Sequence, residues 1–239
     1  MTYIILSAGR GVKLHPLTLN HPKSLYKLDG NITILQRLVR KIREFDKDAE
    51  IVVVVGYMHK QIVQELEDDN VKFVHNPFYS TTGSMGSLWF AQGFLQRENV
   101  TIINGDIVAG DKLMQDIVCL NTDCPYVLFD STRKDANKYN VQIQNDLVCV
   151  MSKNLTSFVG NYASITKLDA VSSRFLLEQM NLMVNDEMYN LFFEDALVQM
   201  IFEKNFELYY KDIKDYAWTE VDCVDDLLNA RKIQEESKQ

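Results

Sequence analysis

The sequence predicts an α/β fold: a Rossmann-like, mainly parallel sheet flanked by helices, with a smaller lobe in the second half. Three observations lead there. Residues 51–55 are five β-branched residues in a row, the pattern of a strand buried on both faces. Short β runs alternate with helical patterns through the first half, which is the rhythm of βαβ units. A glycine pair follows the first apolar run, where such sheets place their ligand-binding turns.

The elements follow in order. Residues 3–7 are apolar and form the first strand. Ile34, Leu35, Leu38, Ile42 and Phe45 recur at helical spacing, with Thr33 as cap and Gln36 three residues on, as in a capping box. The strand at 51–55 comes next. Ile62, Val63 and Leu66 mark a second helix, residues 71–75 a strand, and Leu88, Ala91, Phe94 and Leu95 a third helix. Residues 101–104 are a further strand. The second half is less regular: strands are expected at 126–130, 147–151, 161–166 and 207–211, and helices at 173–183, 194–202 and 222–233. No repeat or linker interrupts the chain, so one domain over residues 1–239 is the expected organisation.

With 33 acidic against 25 basic residues the net charge is −8. That argues against nucleic-acid or anionic-membrane binding, both of which need a cationic surface. No stretch approaches the roughly 20 apolar residues of a membrane span, and the first apolar run is too short for a signal peptide. The four cysteines, Cys119, Cys124, Cys149 and Cys223, form no C-x-x-C pair and read as buried free thiols in a reducing cytoplasm. The four histidines lack metal-ligand spacing and read as surface or loop residues.

The first strand runs into Leu6-Ser7-Ala8-Gly9-Arg10-Gly11, followed by Lys13. Glycines there let several backbone N–H groups converge on a phosphate. Two glycines alone fit a tight strand-to-helix turn equally well. The G-x-G-x-x-G and P-loop fingerprints are both absent. What adds weight is the order of the parts: strand, G-x-G, Pro16-Leu17-Thr18, then Pro22-Lys23-Ser24 in a loop from which Lys23 can reach back to the phosphates. Two aspartates stand in matching contexts. Asp106 follows the strand at 101–104, and Asp222 ends Trp218-Thr219-Glu220-Val221-Asp222. Read singly, one is a turn residue and the other a helix N-cap. Brought together at the sheet edge, two carboxylates suit Mg²⁺, which keeps water and takes few protein ligands.

Gly9-Arg10-Gly11, Lys13-Leu14, Pro16-Leu17-Thr18 and Pro22-Lys23 resemble the signature of the NTP-transferase family, G-x-G-[ST]-R-L-x-P-L-T-x-x-x-P-K. The sequence departs from it at Val12, where a small hydroxyl residue is usual, and at Lys13, which keeps the charge of the usual arginine without its fork. The resemblance implies a bound Mg²⁺ on Asp106 and Asp222, a catalytic Lys23, and direct attack on the α-phosphorus of a nucleoside triphosphate. A nucleotide would then lie on Leu6 to Gly11 and Lys13.

Further segments are similar to the LicC-like cytidylyltransferases within that family. They are Asn76 and Tyr79 followed by Gly83, Ser84 and Ser87; Phe192-Phe193-Glu194-Asp195; and Trp218-Thr219-Glu220-Val221-Asp222. The likeness implies CTP as donor, with Gly83, Ser84 and Ser87 at the base, and a small phosphorylated or phosphonate acceptor. Phe193, Glu194, Asp195 and Glu220 are the expected acceptor-binding residues, since carboxylates beside an aromatic ring suit an amine. An amphipathic helix start explains Phe192 to Asp195 almost as well. Two other readings stand beside this one: a sugar-1-phosphate nucleotidyltransferase, and a nucleotide-binding regulatory module with a decayed site. The presence of Lys23, Asp106 and Asp222 argues against decay. Pairing into a homodimer is compatible with the sequence and is not specified by it.

Overall fold

The computed structural model describes residues 1–238. Among these residues eleven strands and seven α-helices follow in chain order: β1 (Thr2–Ser7), α1 (Ile34–Phe45), β2 (Glu50–Val55), α2 (His59–Glu65), β3 (Lys72–His75), α3 (Ser84–Phe90), β4 (Asn99–Asn104), β5 (Ile107–Ala109), α4 (Asp111–Leu113), β6 (Tyr126–Asp130), β7 (Asn140–Gln144), β8 (Leu147–Ser152), β9 (Gly160–Asp169), α5 (Ala170–Asn185), α6 (Phe193–Lys204), β10 (Tyr209–Asp212), β11 (Trp218–Glu220) and α7 (Val224–Glu236).

The main sheet runs β10-β6-β9-β4-β1-β2-β3. The pairs β1–β2, β2–β3, β1–β4 and β6–β10 are parallel, while β9 lies antiparallel between β4 and β6. The sheet is therefore mainly parallel, as the β-branched runs predict. The second half continues this sheet. Its strands β6, β9 and β10 extend the same sheet, and only the β7–β8 hairpin branches off the side of β9.

Alternation along the strands divides the core. Tyr3 and Ile5 of β1 pack with Leu35, Leu38 and Ile42 of α1, whereas Ile4 and Leu6 pack with Leu88 of α3, Leu176 of α5 and Leu197 of α6. Successive side chains point to opposite faces, so a strand covered on both faces must be apolar at every position. Each such fully buried aliphatic side chain stabilises the fold by about 1.5–3 kcal/mol. A third apolar cluster, including Leu14, Val108, Val221 and Ile233, seats α7 against the two-stranded ladder of β5 and β11.

Several expectations are corrected in detail. Thr33 caps α1 through the Gln36 N–H at 3.2 Å, but the Gln36 amide donates to the Glu65 carbonyl, so the box is not reciprocal. The last helix begins at Val224, not at Asp222. The cysteines are free, but Cys119 and Cys149 are only half-buried, and Cys124 and Cys223 are exposed. No helix among the described residues is long and apolar enough to cross a membrane.

Candidate active site

The turn after β1 is built around Gly11. Its φ of +63° is a left-handed conformation that glycine adopts without strain, and a Cβ there would meet Lys23 Cβ at 3.0 Å. The Thr18 hydroxyl donates to the Gly11 carbonyl at 2.8 Å, and the Ser7 hydroxyl to Ser24 Oγ at 2.8 Å. The glycine turn and the Pro22-Lys23-Ser24 segment are thereby fastened together, and the Lys23 stem lies against the turn.

Asp106 and Asp222 meet because two short strands pair. In the antiparallel ladder of β5 and β11, Ile107 stands opposite Glu220, and the Val221 N–H donates to the Asp106 carbonyl at 3.0 Å. Each aspartate sits one or two residues beyond that ladder. Lys23 Nζ is ion-paired with Asp106 and lies 2.9 Å from Asp222 Oδ1. Asp222 also pairs with Lys13 at 2.8 Å and with Lys138. It does not cap α7; Asp226 does, accepting from the N–H groups of Asp222 and Cys223. β11 is braced from behind, where Trp218 Nε1 donates to Asp130 at 2.9 Å and the Arg133 guanidinium stacks 3.9 Å from the Trp218 ring centre.

The charges follow from this packing. Burial works against the Lys23 ammonium, but Asp106 and Asp222 outweigh it and hold its pKa above the usual lysine range. Burial also opposes the Asp222 carboxylate, and Lys23, Lys13 and Lys138 outweigh it and hold its pKa below the usual range. For Asp106 burial prevails over Lys23 and raises the pKa. Asp106 Oδ1 is buried with no hydrogen-bond partner among the described residues. An orphaned carboxylate oxygen beside an ionised aspartate fits a divalent ion. No cluster of three or more metal-ligating side chains exists among the described residues, so phosphate and water oxygens would complete the coordination shell.

Two clefts converge on this cluster. One, of about 300 Å³, is lined by Leu6, Ser7, Ala8, Gly9 and Gly11, by Gly83, Ser84 and Ser87 at the start of α3, and by Tyr79 and Thr82. The other, of about 210 Å³, is lined by Lys13, Lys138, Tyr139, Lys153, Tyr162, Ser164, Phe192, Glu194, Glu220 and Asp222. Both include Lys23, Asn104 and Asp106. In the first cleft Asn76 donates to Ser87 Oγ at 3.0 Å and to Thr82 Oγ1 at 2.9 Å, leaving the Ser87 hydroxyl proton free among the described residues. Ser84 is differently committed: it accepts from the Phe193 N–H at 3.0 Å and points its proton at Glu194, 3.4 Å away. Gly83 is required by close packing, since a Cβ there would lie 2.1 Å from the Leu191 carbonyl oxygen.

Several sequence expectations shift. Arg10 lines neither cleft and rests 5.9 Å from the Tyr79 ring centre. Lys13 belongs to the second cleft, not the first. Phe193 is 1% exposed in the core, and Phe192, one position earlier, lines the cleft in its place. Asp195 is used structurally, accepting from the Phe192 N–H at 2.9 Å and from the Tyr139 hydroxyl at 2.7 Å. Glu220 lines the second cleft with both oxygens taken, by Ser164 at 2.8 Å and Lys138 at 2.7 Å. Ser164 holds that hydroxyl in place from a left-handed backbone, φ +57°, within β9. Glu194 is buried in the second cleft, with the Ser84 hydroxyl 3.4 Å away as its only side-chain hydrogen-bond partner among the described residues, and burial pushes its pKa up to about 8. Reading the sequence missed Lys138, Lys153, Tyr139 and Ser164. They come from a loop and strands with no local motif.

Comparison with known proteins agrees with the fold and with the turn after β1. Residues 3–153 match the model of the MobA-like NTP transferase domain. The bifunctional protein GlmU of Methanocaldococcus jannaschii is 32% identical over 114 residues, 47% of this chain and 26% of GlmU. The curated relatives of this kind are thus matched over about a quarter of their length. Among solved structures, the CTP:phosphocholine cytidylyltransferase LicC from Streptococcus pneumoniae superposes with a TM-score of 0.79 at 20% identity, covering 98% of both chains. The inositol-1-phosphate CTP transferase from T. maritima gives a TM-score of 0.75 at 16% identity, covering 98% of this chain and 96% of that one. With the family model spanning β1 to the turn after β8, and so the glycine turn, Lys23 and Asp106, the chain belongs to the MobA-like NTP transferase family.

Proposed function

We propose that this enzyme transfers CMP from CTP to a small phosphorylated or phosphonate acceptor that carries an amine, releasing pyrophosphate. The observation that carries this reading is the convergence of the two clefts on Lys23 and Asp106. A donor in the first and an acceptor in the second would meet there and nowhere else. CTP is favoured because two enzymes of the same fold are CTP enzymes by name. The amine is favoured by the buried Glu194, which makes no salt bridge among the described residues and lines the cleft with the rings of Phe192 and Tyr139.

The chemistry is an in-line displacement. An acceptor phosphate oxygen, already anionic at neutral pH, forms the new P–O bond at the α-phosphorus. The bond to the β-phosphate oxygen breaks, and pyrophosphate leaves with its electron pair. No general base is required, so catalysis is positioning and charge. Gly9 and Gly11 let the backbone approach the triphosphate, and the Lys23 ammonium meets negative charge that grows on the phosphates. Asp106 and Asp222 would hold Mg²⁺, which supplies Lewis-acid charge at the phosphate oxygens. Lys138, through Glu220 and Asp222, fixes the acceptor side of the cluster.

The test is pyrophosphate release across a matrix of CTP, UTP, ATP and GTP against phosphoethanolamine, phosphocholine, 2-aminoethylphosphonate and sugar 1-phosphates. Release with CTP and an amine-bearing acceptor, clearly above UTP, is expected. Equal use of CTP and UTP, or turnover with sugar 1-phosphates alone, replaces this reading with the sugar-nucleotide one.

A further inference from the structure

The second cleft is not the acidic pocket that Glu194, Asp195 and Glu220 suggest in sequence. Four lysines line it alongside four carboxylates. Three of the lysines are ion-paired: Lys13 and Lys23 with aspartates, Lys138 with Asp222 and Glu220. Two ionisable side chains of opposite type are left over. Lys153, in the turn after β8, makes no salt bridge among the described residues, and its ammonium rests 4.0 Å from the Phe192 ring centre. Glu194 makes none either among the described residues, and its side-chain hydrogen-bond partner is the Ser84 hydroxyl at 3.4 Å. Both line the same small cleft, within electrostatic reach of each other but with no salt bridge between them among the described residues. An exposed cation over an aromatic ring and a buried carboxyl without an ion partner, lining one cleft, are placed for a ligand that carries both a carboxylate and an ammonium.

We infer that the acceptor is zwitterionic at the end remote from phosphorus, an α-amino acid carrying a phosphate or phosphonate, with its ammonium on Glu194 and its carboxylate on Lys153. This rests on the reading of the second cleft as the acceptor site. It narrows the acceptor class from simple amines to amino acids. The Phe192 ring lies under the Lys153 ammonium and beside Tyr139, so one aromatic wall spans both subsites.

O-phosphoserine and phosphoethanolamine differ by one carboxylate and make a matched pair of probes. With CTP and Mg²⁺, kcat/KM for O-phosphoserine should exceed that for phosphoethanolamine by about tenfold or more, the worth of one charge-assisted hydrogen bond. In Lys153→Ala that ratio should collapse toward one, and in Lys153→Arg it should persist. A wild-type ratio at or below one overturns the inference and leaves the amine reading intact. A Lys153→Ala variant that keeps the ratio but raises KM for CTP also overturns it, by assigning Lys153 to the triphosphate. Absence of turnover with every amine-bearing acceptor overturns both this inference and the reading beneath it.

Discussion

Glu194 gives the sharpest physical consequence of the acceptor site. Burial raises its pKa to about 8, so at pH 7 roughly 90% of the empty enzyme carries a proton there. A neutral carboxylic acid is a poor partner for an ammonium group. An ammonium brought within about 4–6 Å lowers a carboxyl pKa by about 1–3 units. A shift of two units leaves about 10% protonated at pH 7, so binding an amine-bearing acceptor should release about 0.8 proton. The release should fade below about pH 5, where the carboxyl stays protonated in both states, and above about pH 9, where it is ionised in both. Titration calorimetry in buffers of different ionisation enthalpy reads this directly. The acceptor phosphate also titrates near neutrality, so the informative quantity is the difference between wild type and Glu194→Gln. Proton release equal in the two proteins would refute the placement of the amine on Glu194.

Lys23→Ala should lower kcat more than it raises KM for nucleotide, because its ammonium meets charge that develops in the transition state; a normal kcat with only a raised KM would make it a binding group alone. Lys13→Ala should act mainly on binding, since Lys13 sits at the rim and pairs with Asp222; steady-state kinetics separate the two. Gly11→Ala forces a side chain into a left-handed residue 3.0 Å from Lys23 Cβ. It should destabilise the fold by about 1–2 kcal/mol in denaturant unfolding and weaken CTP binding further by displacing Lys23.

The sheet was legible wherever both faces of a strand are covered, because burial on both sides leaves an uninterrupted apolar run, as at Ile51 to Val55. The elements that bring the aspartates together were not legible. β5 and β11 are three residues each, Ile107–Ala109 and Trp218–Glu220, and so short a ladder has no periodicity to read. The glycine turn and Lys23 were readable because a left-handed residue and a phosphate-reaching lysine stand in a fixed order along one loop. The acceptor side was misread by one position: Phe192 and Phe193 are adjacent aromatics at a helix start, and sequence does not say which faces the core. Asp195 looked like a ligand because an N3 acid in a capping box and a substrate carboxylate have the same composition. Lys138 and Lys153 carried no signal, since a lone lysine in a turn is ordinarily a solvated surface residue; Lys138 reaches the cleft through its pairs with Glu220 and Asp222, and Lys153 from the turn after β8, which packs against α6.

The junction of the two clefts is tested most directly by the metal-dependent single-turnover rate of Asp106→Asn, which keeps the side-chain shape and removes the charge. With CTP and acceptor saturating, the account predicts a loss of orders of magnitude relative to wild type. It also predicts an unchanged circular-dichroism spectrum, and a wild-type rate that EDTA abolishes and Mg²⁺ restores. A variant that transfers CMP at the wild-type rate, or a wild-type enzyme fully active in EDTA, would contradict it.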